Sequence, residues 1–325
     1  MGQRSFFDVE DRLQSVGKMG DPLEILAEAI AWEEFRPLLA KVHEKERKSN
    51  AGRKPFDVVL MFKVLVAQTT YNLADKQVEY QIRDRLSFGR FLGLGIEERV
   101  PDATTVWNFR ERLKALGLIE PLFKRFDDSL AAEGPQTRQG QIIDASIVPV
   151  PMQRNSREEN RRIKQGEVPE DWSEAKREQK DVDARWTQKN GESAFGYKNH
   201  IGVDAEHKLI RTFAVTPANV HDSQVLDALV HPNNEDAGYE SHICEKGQRD
   251  RPPPHARAAG QQPHPFQGPL ARRARLWLPA QKHGRQADPH HRPARAEVKI
   301  DLVNLTYNIL RPLQSTQFNS DARQA

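Results

Sequence analysis

Between residues 136 and 223 an apolar strand bearing one carboxylate is followed by a long charged excursion and then by a hairpin. Few architectures accommodate that order. In GQIIDASIVPV, Asp144 sits among Ile142, Ile143, Ile147 and Val148, so residues 136 to 150 read as a buried strand. A lone carboxylate on such a strand is costly unless it is paired, hydrogen-bonded or bound to a metal. Residues 152–192 are rich in charge and carry no strand signal, which suits a partly helical, solvated insertion. The hairpin follows. Alternation runs through Tyr197, His200, Ile201 and Val203, turns at Asp204–His207, resumes through Leu209, Ile210, Phe213 and Val215, and stops at Pro217. Strand, insertion, strand, strand, helix is the order in which a ribonuclease-H-like nuclease core begins.

The 325 residues suffice for two domains, each with its own core. Hydrophobic residues make up 37% of the chain and mean hydropathy is −0.75, as expected of a soluble, rather polar protein. No apolar stretch approaches the roughly 18 to 20 residues that span a bilayer, and the N-terminus lacks a signal-peptide core. The expectation is a cytoplasmic protein without a membrane partner. A single cysteine, Cys244, excludes an intrachain disulfide framework and a cysteine-based zinc cluster. A net charge of +3 permits local nucleic-acid-binding patches without demanding them.

Residues 16–133 read as helical. Asp21-Pro22 caps and opens a helix whose apolar positions are Leu23, Leu26, Ala27, Ile30 and Trp32. DVVLMFKVLVAQTTYN is apolar nearly all round, the mark of a helix at the centre of a bundle. Arg53 and Lys54 precede it, as either a solvated turn or a phosphate contact. In PDATTVWNFRERLKALGL, Asp102 or Thr104 can cap a helix whose apolar face is Val106, Phe109, Leu113 and Leu116. Thr105, Asn108, Arg110, Arg112 and Lys114 are then free on its other faces. A short helix, a turn and such a helix can form a DNA-binding helix-turn-helix; an ordinary amphipathic helix with arginines in water fits the periodicity equally. Residues 1 to about 133 are expected to bind DNA without the rest of the chain.

Several long strings carry a family resemblance: GRKPFDVVLMFKVLV, PDATTVWNFRERL, GQIIDASIVPVP, QKDVDARWTQKNGESAFGYKNHIGVDAEHKLIRTFAVTPANVHDS, ESHICEKGQR and ARAEVKIDLVNLTYNI. In these the chain resembles bacterial insertion-sequence transposases of the DDE type, in the insertion-sequence-five group. The resemblance implies a helical N-terminal DNA-binding domain followed by a ribonuclease-H-like mixed-sheet DDE domain, an α plus α/β fold. It also implies two divalent metals, Mg2+ or Mn2+, held by Asp, Asp and Glu. Two metals about 3.5–4 Å apart clamp the attacking and leaving oxygens of a phosphodiester displacement. The implied partners are double-stranded DNA, both terminal inverted repeats and target, with a homodimer as one assembly open to the chain. Asp144 would be the first metal ligand.

The chain also departs from that family. Its second aspartate should follow an apolar strand; Asp236-Ala237-Gly238-Tyr239 resembles the motif but has no such strand before it. Asp236 is the surviving candidate for catalysis and metal binding, beside the favoured reading that a deletion after Asn234 removed the true residue. The family's glutamate motif is missing. Residues 249–294 contain no Ile, Val, Met or Tyr, nine prolines, and only Asp250 and Asp288 as acids, so they are expected to be disordered. A disordered basic linker and a histidine-rich metal tract are two readings of the segment, but His283, His290 and His291 lack a ligating framework. A third fits better. Arg272–Trp277 can be written CGT CGA GCA CGT CTT TGG, which one base later reads Val-Glu-His-Val-Phe, the family's motif. The family frame then returns in a terminal helix, 295–315, where Glu297 lacks the arginine that marks the family's glutamate.

The sequence therefore reads as a helical DNA-binding domain (16–133), a partial DDE domain (136–248) and an out-of-frame segment (249–294) before the terminal helix. Its expected function is metal-dependent DNA strand cleavage and transfer, impaired in this copy. The alternatives are a non-catalytic remnant that occupies transposon ends, and a generic metal-dependent nuclease.

Overall fold

The computed structural model describes residues 8–44, 53–133, 141–165, 167–173, 176–177, 180–189, 191–230 and 293–324. Asp236, Cys244 and the segment expected to be out of frame up to residue 292 lie outside the described residues.

The first half is built around its most apolar helix. Helices α1 (Asp8–Lys18), α2 (Pro22–Ala29) and α3 (Arg36–Leu39) precede α4 (Val58–Thr70), and α5 (Asp75–Asp84), α6 (Leu86–Leu92), α7 (Ala103–Ala115) and α8 (Ile119–Glu133) follow it. Asp57 caps α4 by accepting the Val59 and Leu60 N–H groups. The helix buries Val58, Val59, Met61, Phe62, Val64, Leu65, Val66 and Ala67, and it packs on α3, α5, α6 and α7. Asp21 caps α2 through the Leu23 N–H and also accepts from Arg90 of α6 at 2.7 Å, which ties the two helices together. Leu116, expected on the buried face of α7, is 50% exposed, because it is the C-cap where the chain turns away. Leu118 takes the inward position instead. Residues 93–102 separate α6 from α7, which is longer than the tight turn of a helix-turn-helix.

The second half is a sheet of β1 (Gln141–Pro149), β2 (Arg185–Lys189), β3 (Glu192–Asp204) and β4 (Ile210–Pro217), with α9 (Arg157–Lys164) between β1 and β2. The insertion expected to lack strands therefore ends in one. β3 is central. Residues 197–203 pair with β1 on one edge and β4 on the other, and β2 pairs with 192–196. The mixed sheet implied by the resemblance is represented among the described residues by antiparallel pairings alone. Gly202 lies where any Cβ would meet the Gln141 amide at 1.9 Å and the Leu229 carbonyl at 3.0 Å. Its bare backbone lets the short α10 (Leu226–Leu229) rest on the sheet, held by Gln141 and Thr212 donating to the Leu229 carbonyl.

The last helix, α11 (Pro293–Gln324), joins the halves. Val298, Leu302, Leu305 and Ile309 enter the same core as α4, α7 and α8, while Ile300 packs with Tyr197 and Ala184 on the sheet. Asn308 donates to the Ile210 carbonyl at 2.7 Å and accepts its N–H at 2.8 Å. Asn304 and Asn199 exchange amide hydrogen bonds at 2.7 and 3.2 Å. The core of the helical half is thus completed by α11. Residues 1 to about 133 alone would leave that apolar seam open.

Asn308 is 1% exposed and satisfies two backbone groups at once. Asn308→Ala orphans both, and we expect it to lower stability by about 2–4 kcal/mol. Chemical denaturation of the whole chain measures this; a loss below about 1 kcal/mol would show that the clasp is incidental.

Candidate functional site

Asp144 is not the buried carboxylate that its apolar neighbours suggest. Pleating puts Ile142, Asp144, Ser146 and Val148 on the face shared with Tyr197, Asn199 and Ile201, towards α11. β1, however, lies at one margin of the described sheet, so both Ile142 and Asp144 are exposed. The cost of desolvation that marked Asp144 therefore does not apply. Its Oδ1 accepts the Ala145 N–H at 2.8 Å, and the rest of the carboxylate faces outward.

The opposite face carries a polar cluster that sequence reading passed over. Lys198 donates to the Val220 carbonyl at 2.7 Å and to Asp222 at 2.8 Å. His200, only 1% exposed, bonds to the Thr216 hydroxyl at 2.8 Å, and its Nδ1 lies 3.9 Å from Asp222. Burial pulls the His200 pKa down, against the pull of Asp222. Burial opposes charge on Asp222 as well, but the Lys198 ammonium outweighs it and holds that carboxyl below its usual range. The signal was the Lys-Asn-His run in β3, which strand alternation absorbed. His221 faces elsewhere and caps the Ser223 N–H.

On α7 the structure sorts the expected DNA contacts. Arg110 is not free: both terminal nitrogens donate to Asp75 of α5 at 2.9 Å, and Nη1 also reaches Gln68 at 3.3 Å. Lys114 lies 3.5 Å from Glu111. Thr105 is half-buried, and its N–H is consumed by the Asp102 cap. Thr104, Asn108 and Arg112 form the exposed stripe at four-residue spacing; among the described residues Arg112 makes only a long 3.5 Å contact with the Val42 carbonyl. Arg53 and Lys54 are exposed too. Arg99, just before α7, donates to the Lys54 carbonyl at 3.2 Å and stacks over Phe56 at 4.0 Å, so it pins this basic segment beside the start of α7.

With this geometry in place, residues 10–112 match the family model described as a transposase domain (DUF772), and residues 135–249 match the transposase DDE domain. These two matches support an insertion-sequence transposase. A helical region followed by a sheet-containing one fits that assignment, and the domains support a function in transposition. No solved structure matches the chain. No helix among the described residues is long and apolar enough to cross a membrane.

A DDE transposase domain implies dependence on divalent metal. The described residues do not fit a two-metal site: no group of three or more His, Cys, Asp or Glu side chains among them could hold an ion. Among the described residues Asp144 stands without the convergence such chemistry requires. Asp236 falls inside the matched range but outside the described residues.

One further carboxylate is perturbed. Asp301 of α11 has an Oδ1 that is buried with no hydrogen-bond partner among the described residues. Burial, with Glu297 and Glu120 adding to it, raises its pKa from 3.8 to about 7. A carboxyl whose folded pKa is raised binds more protons in the native state. Stability is therefore greatest below the unfolded value and falls as pH rises from about 4 to about 7. Each pH unit is worth about 1.4 kcal/mol, and partial solvation reduces the total to about 2–4 kcal/mol. Asp301→Asn should flatten this part of the stability-against-pH curve. An unchanged slope in the variant would place the titration elsewhere.

Proposed function

We propose that the chain is a transposase of the insertion-sequence-five group that binds transposon ends through its helical half and has lost strand cleavage and transfer. The observation that carries this reading is the isolation of Asp144. It is exposed on β1 with no described carboxylates gathered round it. The DDE match stops at residue 249, and no glutamate occurs from there until Glu297. In-line displacement by two metals needs carboxylates converging from several elements. Glu297 lies on a helix whose apolar positions are spent on the core, which supports the reading that it is no replacement. A ribonuclease-H-like origin for the sheet is supported by its order: carboxylate strand, insertion, hairpin, helix.

End binding is supported by the surface assembled at α7. Thr104, Asn108 and Arg112 present polar groups at one exposed stripe, and Arg99 brings Arg53 and Lys54 beside the same helix end. Cations at this spacing serve phosphate contacts, while Asn108 suits a base edge.

Filter binding of the whole chain to duplex ends should show Arg112→Glu weakening the complex and lowering the salt slope by about one. Arg110→Glu should act differently, lowering the melting temperature through loss of the Asp75 pair. Unchanged affinity and slope for Arg112→Glu would remove α7 from the interface. With magnesium or manganese, cleavage of end-bearing DNA should stay at background. Robust cleavage abolished by Asp144→Asn would overturn the proposed impairment and establish Asp144 as a working ligand.

A further inference from the structure

One edge of β1 is paired with β3, and the other lies at the margin of the described sheet. The register decides which backbone groups point each way. Val150, the residue after β1, donates its N–H to the Phe195 carbonyl at 2.9 Å, so 150 and 195 are a hydrogen-bonded pair. Such pairs alternate along an antiparallel ladder. Val148, Ser146, Asp144 and Ile142 therefore turn their N–H and C=O groups towards β3, while Ile147, Ala145 and Ile143 turn theirs outward.

Two charged side chains occupy the middle of that outer edge. Asp144 Oδ1 accepts the Ala145 N–H at 2.8 Å, and Lys189 donates to the Ala145 carbonyl at a longer 3.5 Å. The Asp222 carboxylate attracts the same ammonium. Ala145 is only 6% exposed, whereas Asp144 and Lys189 are open to solvent. The groups of Ala145 that a neighbouring strand would use are thus taken by side chains. An uncovered strand edge is a template for another chain, and charges laid along it keep such a chain away.

The strand behind these two charges suits one partner in particular. About Ala145, QIIDASIVP is nearly symmetrical in character: Ile143 balances Ile147, Ile142 balances Val148, and Asp144 balances Ser146. A two-fold axis at Ala145, relating two antiparallel copies of β1, sets outward groups against outward groups. Ala145 meets its own counterpart, and Ile143 meets the second copy's Ile147. The side chains agree with that register. Ile142 falls opposite Val148 and Asp144 opposite the Ser146 hydroxyl, so no carboxylate directly faces another. A contact between identical surfaces requires self-complementarity of this kind. Pro149, which has no N–H, ends the ladder on each side.

We infer that Asp144 and Lys189 guard the outer edge of β1, and that without them this edge pairs antiparallel with β1 of a second copy of the chain, in the register centred on Ala145. The guard works through the two hydrogen bonds to Ala145, which a second strand must replace before it can dock. The inference is independent of DNA binding by α7.

Sedimentation of the whole chain over a rising concentration series tests this. Asp144→Ala combined with Lys189→Ala should move the average mass towards twice that of the unaltered chain. Asp144→Asn, which keeps an oxygen for the Ala145 N–H, should leave the mass unchanged. Cross-linking reads the register, in chains that all carry Lys189→Ala and Cys244→Ser. A chain with Asp144→Cys, mixed with one carrying Asp144→Ala and Ser146→Cys, should form a disulfide-linked pair. Neither chain should do so alone, because like positions lie diagonally across the axis, beyond disulfide reach. Unfolded chains that aggregate would give neither a defined mass nor this selectivity. An unchanged mass for the double variant, disulfides that ignore the register, or association of Asp144→Asn as strong as the double variant's would overturn the inference.

Discussion

The amide of Asn308 decides how the two halves of this molecule sit together. Ile210 begins β4 inside the shared core, where an unpaired backbone N–H or C=O is expensive. Asn308 answers both with one side chain, as a neighbouring strand would. That contact fixes the rotation and the axial position of α11, and other contacts follow from it. Asn304, one turn earlier, meets Asn199; Ile300, a further turn back, meets Tyr197; Leu305 and Ile309 turn towards the bundle. Tyr307 and Arg311 then close on the turn after β3 through the Lys208 and His207 carbonyls. Buried amides are poor sources of net stability but strict ones of register, since only one alignment satisfies every group.

Local chemistry was legible wherever a residue acts on its own neighbourhood. The Asp21 and Asp102 caps, the all-round apolar α4 and the β3–β4 hairpin are sequence-local, and each formed where its signal stood. What failed to show were properties that depend on a second element. Periodicity correctly put Arg110 off the apolar face of α7, but it could not see that Asp75 waits there on α5. Ile142 and Asp144 sit in an apolar run, yet burial belongs to the sheet's order and not to the strand, and β1 is at its margin. The asparagines of α11 carry no local signal of their role, because their partners lie about a hundred residues upstream.

The same logic separates binding from chemistry. Binding surfaces need charges that secondary structure presents and that no carboxylate has claimed, and one or two elements can supply them. The proposed α7 surface is of this kind, together with the basic segment that Arg99 holds beside it. A two-metal centre needs several elements brought to one point, so on the proposed reading it is the property that an interrupted domain loses. The DDE match ends where the proline-rich sequence begins, while the final helix beyond that point still docks. Docking and catalysis place different demands on the intervening chain.

Because α11 fills the seam between α2, α4, α7 and α8, the first half to leave the ribosome is the last to be finished. Domains usually fold in the order of their synthesis, but here the core that holds Phe109 and Leu122 is complete only once residues 298–310 are present. A truncated translation product would display that seam permanently and invite chaperones and proteases. The core of the helical half is thus closed by residues 298–310, far along the chain from the helices they cover.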